Sequence, residues 1–320
     1  MARIIDAGAI GAAKCVPAKP HKKNAAEARG LTYDAAVKAA TDPLYAQVAA
    51  FITPLEWPVI AALVHGINTL KAERDAVILA HNYMTPDVFH LVGDFRGDSL
   101  QLAREAANVE ASVIVQAGVH FMAETSKILS PGKTVLIPDM RAGCSLAASI
   151  NGADMRLIRQ RFPGIPIVTY VNTSADVKAE ADICCTSSNA VQVVETIAAE
   201  WGVDKVILLP DQYLARNVAA NTDIEIITWN GACEVHELFS GEDVAALREA
   251  HPGVLILAHP ECPPDVLQAA DFAGSTAALA NYVKARSPNK VVLLTECSMS
   301  DNVAAENPDV EFVKPCNLCP

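Results

Sequence analysis

AVILAHNY (76–83), IPIVTYVN (165–172) and GVLILAHPE (253–261) decide how this 320-residue chain folds. Each is a short apolar run, rich in branched side chains, that ends in polar residues. Such a run, with no alternation of polar and apolar positions, suits a parallel strand covered on both faces. The three also keep step. His81, Tyr170 and His259 follow one another at intervals of 89 residues. A long fixed period of self-similarity marks a chain made of repeated units.

Working outward, each opening strand is followed by a small helical stretch ending in Asp and a Gly/Ser/Thr turn. These are GDFRGDSL (93–100), ADICCTSSNA (181–190) and ADFAGSTAAL (270–279). A second buried run follows: SVIVQAG (112–118), KVILLPD (205–211) and KVVLLTE (290–296). After a helix comes a third: TVLIPD (134–139), IEIITWN (224–230) and VEFVKP (310–315). Strand and helix alternate throughout, which predicts parallel sheets flanked by helices. The expected fold class is α/β: three similar three-layer αβα units with parallel sheets, arranged about a pseudo-threefold axis. Expected boundaries are an N-terminal extension over 1–54, with one helix around Ala35–Phe51, and units over 55–150, 151–238 and 239–320. Ligands bind at the carboxyl ends of strands in such folds, so three units would aim three such edges at one cavity.

A cysteine follows the last strand of every unit: Cys144 in AGCSLA, Cys233 in NGACEVHE and Cys319 in CNLCP. The first two are again 89 residues apart, and the third follows 86 later. A single cysteine is most simply a small buried hydrophobe. Recurrence at one position of a repeat points instead to a shared site. Three thiolates suit zinc or an iron–sulfur cluster. A structural zinc site closes with four protein ligands, commonly paired at short spacing. Here the cysteines are far apart, which favours a 4Fe–4S cluster with one open iron. Cys316 forms a C-x-x-C with Cys319 and is the alternative third ligand; Cys184 and Cys185 read as strand core.

Charge and hydropathy narrow the function classes. A formal net charge of −12, with no Lys/Arg cluster, argues against nucleic-acid binding. No apolar run reaches the length of a membrane span. The N-terminus predicts no secretory signal, which places the chain in the cytoplasm, where thiols stay reduced.

The strings AHNY, GDFRGDSLQLAREA, GVHFMAETSKIL, KTVLIPDMRAGCSLA, YVNTSADVKAEADICCTSSNAV, CEVHE, HPECP and ADFAGST together resemble the quinolinate synthase family. The resemblance runs from about residue 75 to the end. It implies an enzyme that condenses iminoaspartate with dihydroxyacetone phosphate, losing water and phosphate, to give quinolinate for NAD biosynthesis. It also implies functional coupling to an enzyme that produces iminoaspartate. The family's cluster ligands fall on Cys144, Cys233 and Cys319. The family continues past its last cysteine with a Met-Lys stretch, whereas this sequence stops at Pro320.

Site residues follow from the repeat and the implied anionic substrates together. Ser99, Ser187 and Thr276 stand in equivalent turns at helix starts, where they serve either as ordinary N-caps or as anion contacts. His81, Tyr170 and Asn172 complete the expected anion cradle. Tyr83 and Glu261 are the candidate general acid and base, with His259 orienting, and Glu261 is expected to titrate high beside anions. His236 is expected to contact a substrate carboxylate or to support the cluster. Two other readings stay open: a cluster-free binding protein for anionic metabolites, and a zinc protein using the three cysteines with His236.

Overall fold

The computed structural model describes residues 3–4 and 30–315. Its strands are β1 (Arg3–Ile4), β2 (Ala76–His81), β3 (Phe95–Gly97), β4 (Val113–Ala117), β5 (Thr134–Leu136), β6 (Ile167–Tyr170), β7 (Ile183–Cys185), β8 (Lys205–Leu209), β9 (Glu225–Thr228), β10 (Leu255–Ala258), β11 (Phe272–Ala273), β12 (Lys290–Leu294) and β13 (Glu311–Val313). They form three sheets, ordered β3-β2-β4-β5, β1-β9-β8-β6-β7 and β11-β10-β12-β13. All pairings are parallel. Apart from β1, every sheet has the same strand order, with the opening run second from one edge. This is the expected α/β class, built three times.

The opening runs are central because nothing in them tolerates water. In β2, β6 and β10, Leu79, Ile167, Val168, Ile256 and Leu257 are fully buried. Completely burying a side chain of this size is worth about 1.5–3 kcal/mol. Ordering the backbone costs about 1–2 kcal/mol per residue, so the strands hold only because helices cover both faces.

Each unit contains a short strand that the sequence reading missed, except that Cys184 and Cys185 read as strand core; both lie in β7, where Cys185 is buried and Cys184 exposed. The segments read as helical stretches with a turn include β3, β7 and β11, each pairing beside the opening strand. They escape because two or three residues are too few to show a period. The aspartate ahead of each has a structural use. Asp94, Asp182 and Asp271 accept the backbone N–H of Ile78, Ile167 and Ile256, all at 2.8 Å. They also pair with Lys71, Arg159 and Arg248 from the preceding helices. Those pairs are partly solvated and contribute little each; the part-buried strand-start hydrogen bonds matter more.

Two expectations at the N-terminus shift. The helix around Ala35–Phe51 runs only over Ala35–Tyr45 and continues in turns. It packs on the helix Trp57–Glu73, which in turn covers β2. β1, which the reading did not anticipate, adds to the edge of β9. Among the described residues no helix is long and apolar enough to cross a membrane.

Candidate functional site

The carboxyl ends of the three opening strands meet at one cavity of ≈ 410 Å³. From the first unit it is lined by His81, Tyr83, Ser99 and Cys144. The second supplies Tyr170, Asn172, Ser187, Cys233 and His236, and the third His259, Glu261 and Thr276. Every candidate site residue within the described part of the chain is therefore brought together. Cys319 and its alternative Cys316 lie outside the described residues.

Local sequence explains each placement. His81 and His259 end equivalent strands as His-x-Tyr and His-x-Glu. In both, Nδ1 accepts the backbone N–H two residues on, Tyr83 N at 3.2 Å and Glu261 N at 3.4 Å. That bond fixes the tautomer and leaves Nε2–H to point elsewhere. Burial lowers the His81 pKa to about 4 and that of His259 to about 3. At neutral pH both are uncharged, and an anion would meet His81 as a neutral N–H donor.

The hydroxyls divide differently from the simple capping expectation. The helix Ser99–Asn108 is capped by Asp98, whose carboxylate accepts from Gln101 N, and Thr276–Arg286 is capped by Ser275. Ser99 and Thr276 sit one position inside, with their hydroxyls relieved of capping. Thr276 Oγ1 accepts from Asn82 Nδ2 at 3.1 Å, tying the third unit to the first. Ser187 lies in the turn before Ala190–Trp201, with Oγ 3.5 Å from His259 Nε2.

Glu261 is the hub of the cavity and only 2% exposed. Tyr170 Oη donates to its Oε1 at 2.5 Å. His236 Nδ1 lies 3.1 Å from Oε2, close enough to pair though out of line for a hydrogen bond. Burial alone would push this carboxyl up. His259, His236 and the Tyr170 hydroxyl outweigh it and hold Glu261 below the usual carboxylate range. The protein thus supplies the carboxylate with its own partners. Tyr83 and Tyr170 are pushed well above the ordinary phenol value, chiefly by burial and then by the Glu261 charge.

Cys144 and Cys233 stand at the N-cap positions of the short helices Ser145–Ala148 and Glu234–Glu237. Their loops are braced together by Ser145 Oγ, which donates to Ala232 O and accepts from Glu234 N, both at 3.1 Å. Gly231 holds the second loop close: a Cβ there would meet Pro210 O at 2.6 Å and Ser149 Oγ at 2.7 Å. Both thiols open on the cavity, and burial, then Glu261, then Cys144 raise the Cys233 pKa well above its ordinary value. A thiol so disfavoured as a free thiolate gains most from a bound metal. Two thiols on braced loops, facing one hollow, thus fit a shared metal group. Cys233, His236 and Glu261 also place ligand atoms within 4.8 Å of one another, a group that could hold a metal ion.

Three residues of the site were not singled out from sequence. Thr295, fully buried, bonds both Tyr83 Oη at 2.7 Å and His236 Nε2 at 3.0 Å. Glu296 lines the cavity, caps Cys297–Glu306, and is raised by burial to about 7. Asn302, from that helix, donates to the carbonyls of Asn82 and Met84 on either side of Tyr83. The signal was present for the first two. Thr295–Glu296 end KVVLLTE at the repeat position of Pro210–Asp211, a polar pair at the tip of the second strand rather than the opening one.

Comparison with known proteins bears on the same segments. Residues 65–320 match the family model described as quinolinate synthetase A protein. A quinolinate synthase of Caulobacter vibrioides is 65% identical over 284 residues, covering 89% of this chain and 77% of that protein. Quinolinate synthase 2 of Mesorhizobium japonicum is 64% identical over 277 residues, covering 87% and 84%. A quinolinate synthase of Xylella fastidiosa is 66% identical over 257 residues, covering 80% and 75%. With a match over four-fifths of its length and a cavity built from all three repeats, the chain belongs to the quinolinate synthase family of enzymes.

Proposed function

We propose that the chain condenses iminoaspartate with dihydroxyacetone phosphate to quinolinate, with loss of water and phosphate, in the central cavity. The boundaries 1–54, 55–150, 151–238 and 239–320 divide it into an extension and three units that share this cavity. Cys144, Cys233 and Cys319 would hold a 4Fe–4S cluster, which when bound supplies a Lewis-acidic iron to a substrate hydroxyl or carbonyl oxygen. The observation that carries the reading is the convergence of Cys144 and Cys233, from separate units, on the hollow that the polar strand tips also line.

The chain's own groups then divide the work. The substrates carry two carboxylates and a phosphate. The N-termini of Ser99–Asn108, Ala190–Trp201 and Thr276–Arg286, with the hydroxyls of Ser99, Ser187 and Thr276, offer N–H and O–H donors to them. His81 adds a neutral N–H, and Tyr170 and Asn172 close the cradle. Ring closure needs protons moved off carbon and nitrogen and onto a departing hydroxyl. Glu261, ionised and fully desolvated, is placed to accept one; His259 and His236 orient it. Tyr83 is the second proton-handling group. Burial keeps water from competing at each of these steps.

The reading also makes the chain a cytoplasmic protein that depends on an iminoaspartate-producing enzyme. The test is anaerobic cluster reconstitution followed by assay of quinolinate formation from the two substrates. A brown protein that makes quinolinate, and a Cys144→Ser variant that loses both colour and product, is the expected result. The Cys233–His236–Glu261 group favours one other occupant, a single ion such as zinc, and metal analysis of the reconstituted protein separates the two. A colourless, zinc-loaded, inactive protein would refute the proposal.

A further inference from the structure

Two side chains do the same thing at the tips of two opening strands. Asn302 donates to the carbonyls of Asn82 and Met84, on either side of Tyr83. Lys178 donates through Nζ to the carbonyls of Val171, at 2.9 Å, and of Thr173, on either side of Asn172. Tyr83 and Asn172 hold the same place in their units, two residues past His81 and Tyr170. Lys178 stands in the last turn of the short helix Ala175–Ala179, where a lysine ordinarily serves the end carbonyls of its own helix. Here it reaches back to the turn ahead of that helix. Its ammonium also lies over the Phe121 ring, 5.5 Å from the centroid, and Phe121, Val171 and Asn172 all line the cavity. Hydrogen bonds from a charged donor are roughly twice as strong as neutral ones, so this clamp is a firm one.

Asn172 needs a clamp more than its neighbours do. Tyr83 Oη is bonded to Thr295, Tyr170 Oη to Glu261, and Thr276 Oγ1 to Asn82. Among the described residues nothing bonds the Asn172 side-chain amide, so its donors are left to a ligand and its direction is set by the backbone alone. We infer that Lys178 is a positioning residue: by fixing the carbonyls on both sides of Asn172 it holds that unsupported amide toward the cavity, where an N–H meets an anionic oxygen of the substrate. The inference rests on the functional reading above, which puts Asn172 in the anion cradle, and deepens it. The turn does not depend on Lys178 for its existence. Thr173 closes it through its own N–H to Val171 O, at 2.8 Å, and through its hydroxyl to Tyr170 O, at 3.0 Å. Removing the ammonium therefore loosens Asn172 without unmaking the turn.

Lys178→Met keeps an apolar stem over Phe121 and removes both hydrogen bonds. Binding of quinolinate to the reconstituted protein, by equilibrium dialysis at equal iron content, should weaken about tenfold, the worth of one hydrogen bond to a charged group. KM for dihydroxyacetone phosphate should rise while kcat changes by less than about threefold, the mark of lost binding rather than lost chemistry. The deciding measurement is the same substitution in an Asn172→Ala background, where it should weaken binding no further. If methionine disturbs the fold by circular dichroism, Lys178→Gln, too short to span both carbonyls, carries the same expectation. Unchanged binding by the folded variant overturns the inference. So does a weakening that persists undiminished in Asn172→Ala, which would make the ammonium act by its charge and not through Asn172. Failure of the parent to bind quinolinate, or full binding by Asn172→Ala, would instead bring down the functional reading, and this inference with it.

Discussion

Protonating His81 should destabilise the protein from its centre, and the cost can be worked out. Its ring is buried, stacks edge-on against Tyr83 with centroids 4.7 Å apart, and accepts the Tyr83 N–H at Nδ1. Burial is the largest cause of its lowered pKa, about 4 against 6.5 unfolded, and the charges of Asp98 and Glu261 offset only part. The unfolded chain therefore binds more protons between these values. Stability is fully present above pH 6.5, falls as the pH drops toward 4, and levels off below. Linkage gives a loss of about 2 kcal/mol at pH 5 and about 3 kcal/mol at pH 4 from this residue alone. The assay is urea denaturation at pH 7.5, 6 and 5 of the parent and of His81→Asn, in the same metal state. Asparagine can accept the same Tyr83 N–H but does not titrate. Between pH 7.5 and 5 the parent should lose about 2 kcal/mol more than the variant. Equal losses, or a larger loss in the variant, would show that His81 is not held neutral. Its proposed use as an uncharged donor to anions would then fail.

Other perturbations probe the hub and its supports. Tyr170→Phe removes the charge-assisted bond to Glu261 and should cost about 1.5–3 kcal/mol at pH 7.5 by denaturation; a cost near zero would mean the carboxylate does not depend on it. Asn302→Ala leaves the carbonyls of Asn82 and Met84 without their buried donor. It should cost about 1–3 kcal/mol and lower kcat through a displaced Tyr83, whereas unchanged kcat would disconnect this clamp from the chemistry. Glu296, with its carboxyl raised by burial to about 7, binds more protons folded than unfolded. Its contribution is present at low pH and is lost as pH rises through 7, so Glu296→Gln should be the more stable protein at pH 8 and not at pH 5. Thermal melts at the two pH values decide it.

The fold was legible because the opening strands announce themselves. Unbroken apolar runs such as VILA in β2 and LILA in β10 have one physical use, and their fixed spacing gave the count of units. What stayed hidden was local pairing too short to carry a pattern. β3, β7 and β11 read as turns because Phe95–Gly97 or Phe272–Ala273 have no period of their own. They become strands only because the adjacent edge of β2 or β10 is already there to pair with. The N-cap alternative for Ser99 and Thr276 falls for a related reason. Asp98 and Ser99, or Ser275 and Thr276, are both competent caps, and one residue of register decides which hydroxyl is left for the cavity.

The site shows the same division between what repeats and what does not. Repeat position alone could nominate His81, Tyr170 and His259, since each ends the same strand of its own unit. It could not say that they would play unlike parts. Threefold likeness stops at the side chains: the three tips carry His-x-Tyr, Tyr-x-Asn and His-x-Glu, and only the last brings a carboxylate. That single charge breaks the symmetry of the cavity. It draws the Tyr170 proton toward itself and has the His236 ring beside it. An arrangement with three equal corners would bind an anion equally at each and turn none of them over. With the charge at one corner, the helix starts of all three units offer donors, while the third unit alone brings a carboxylate at its strand tip. Under the proposed function, that asymmetry would orient an anionic substrate with its reacting atoms toward Glu261 and its carboxylates and phosphate away from it.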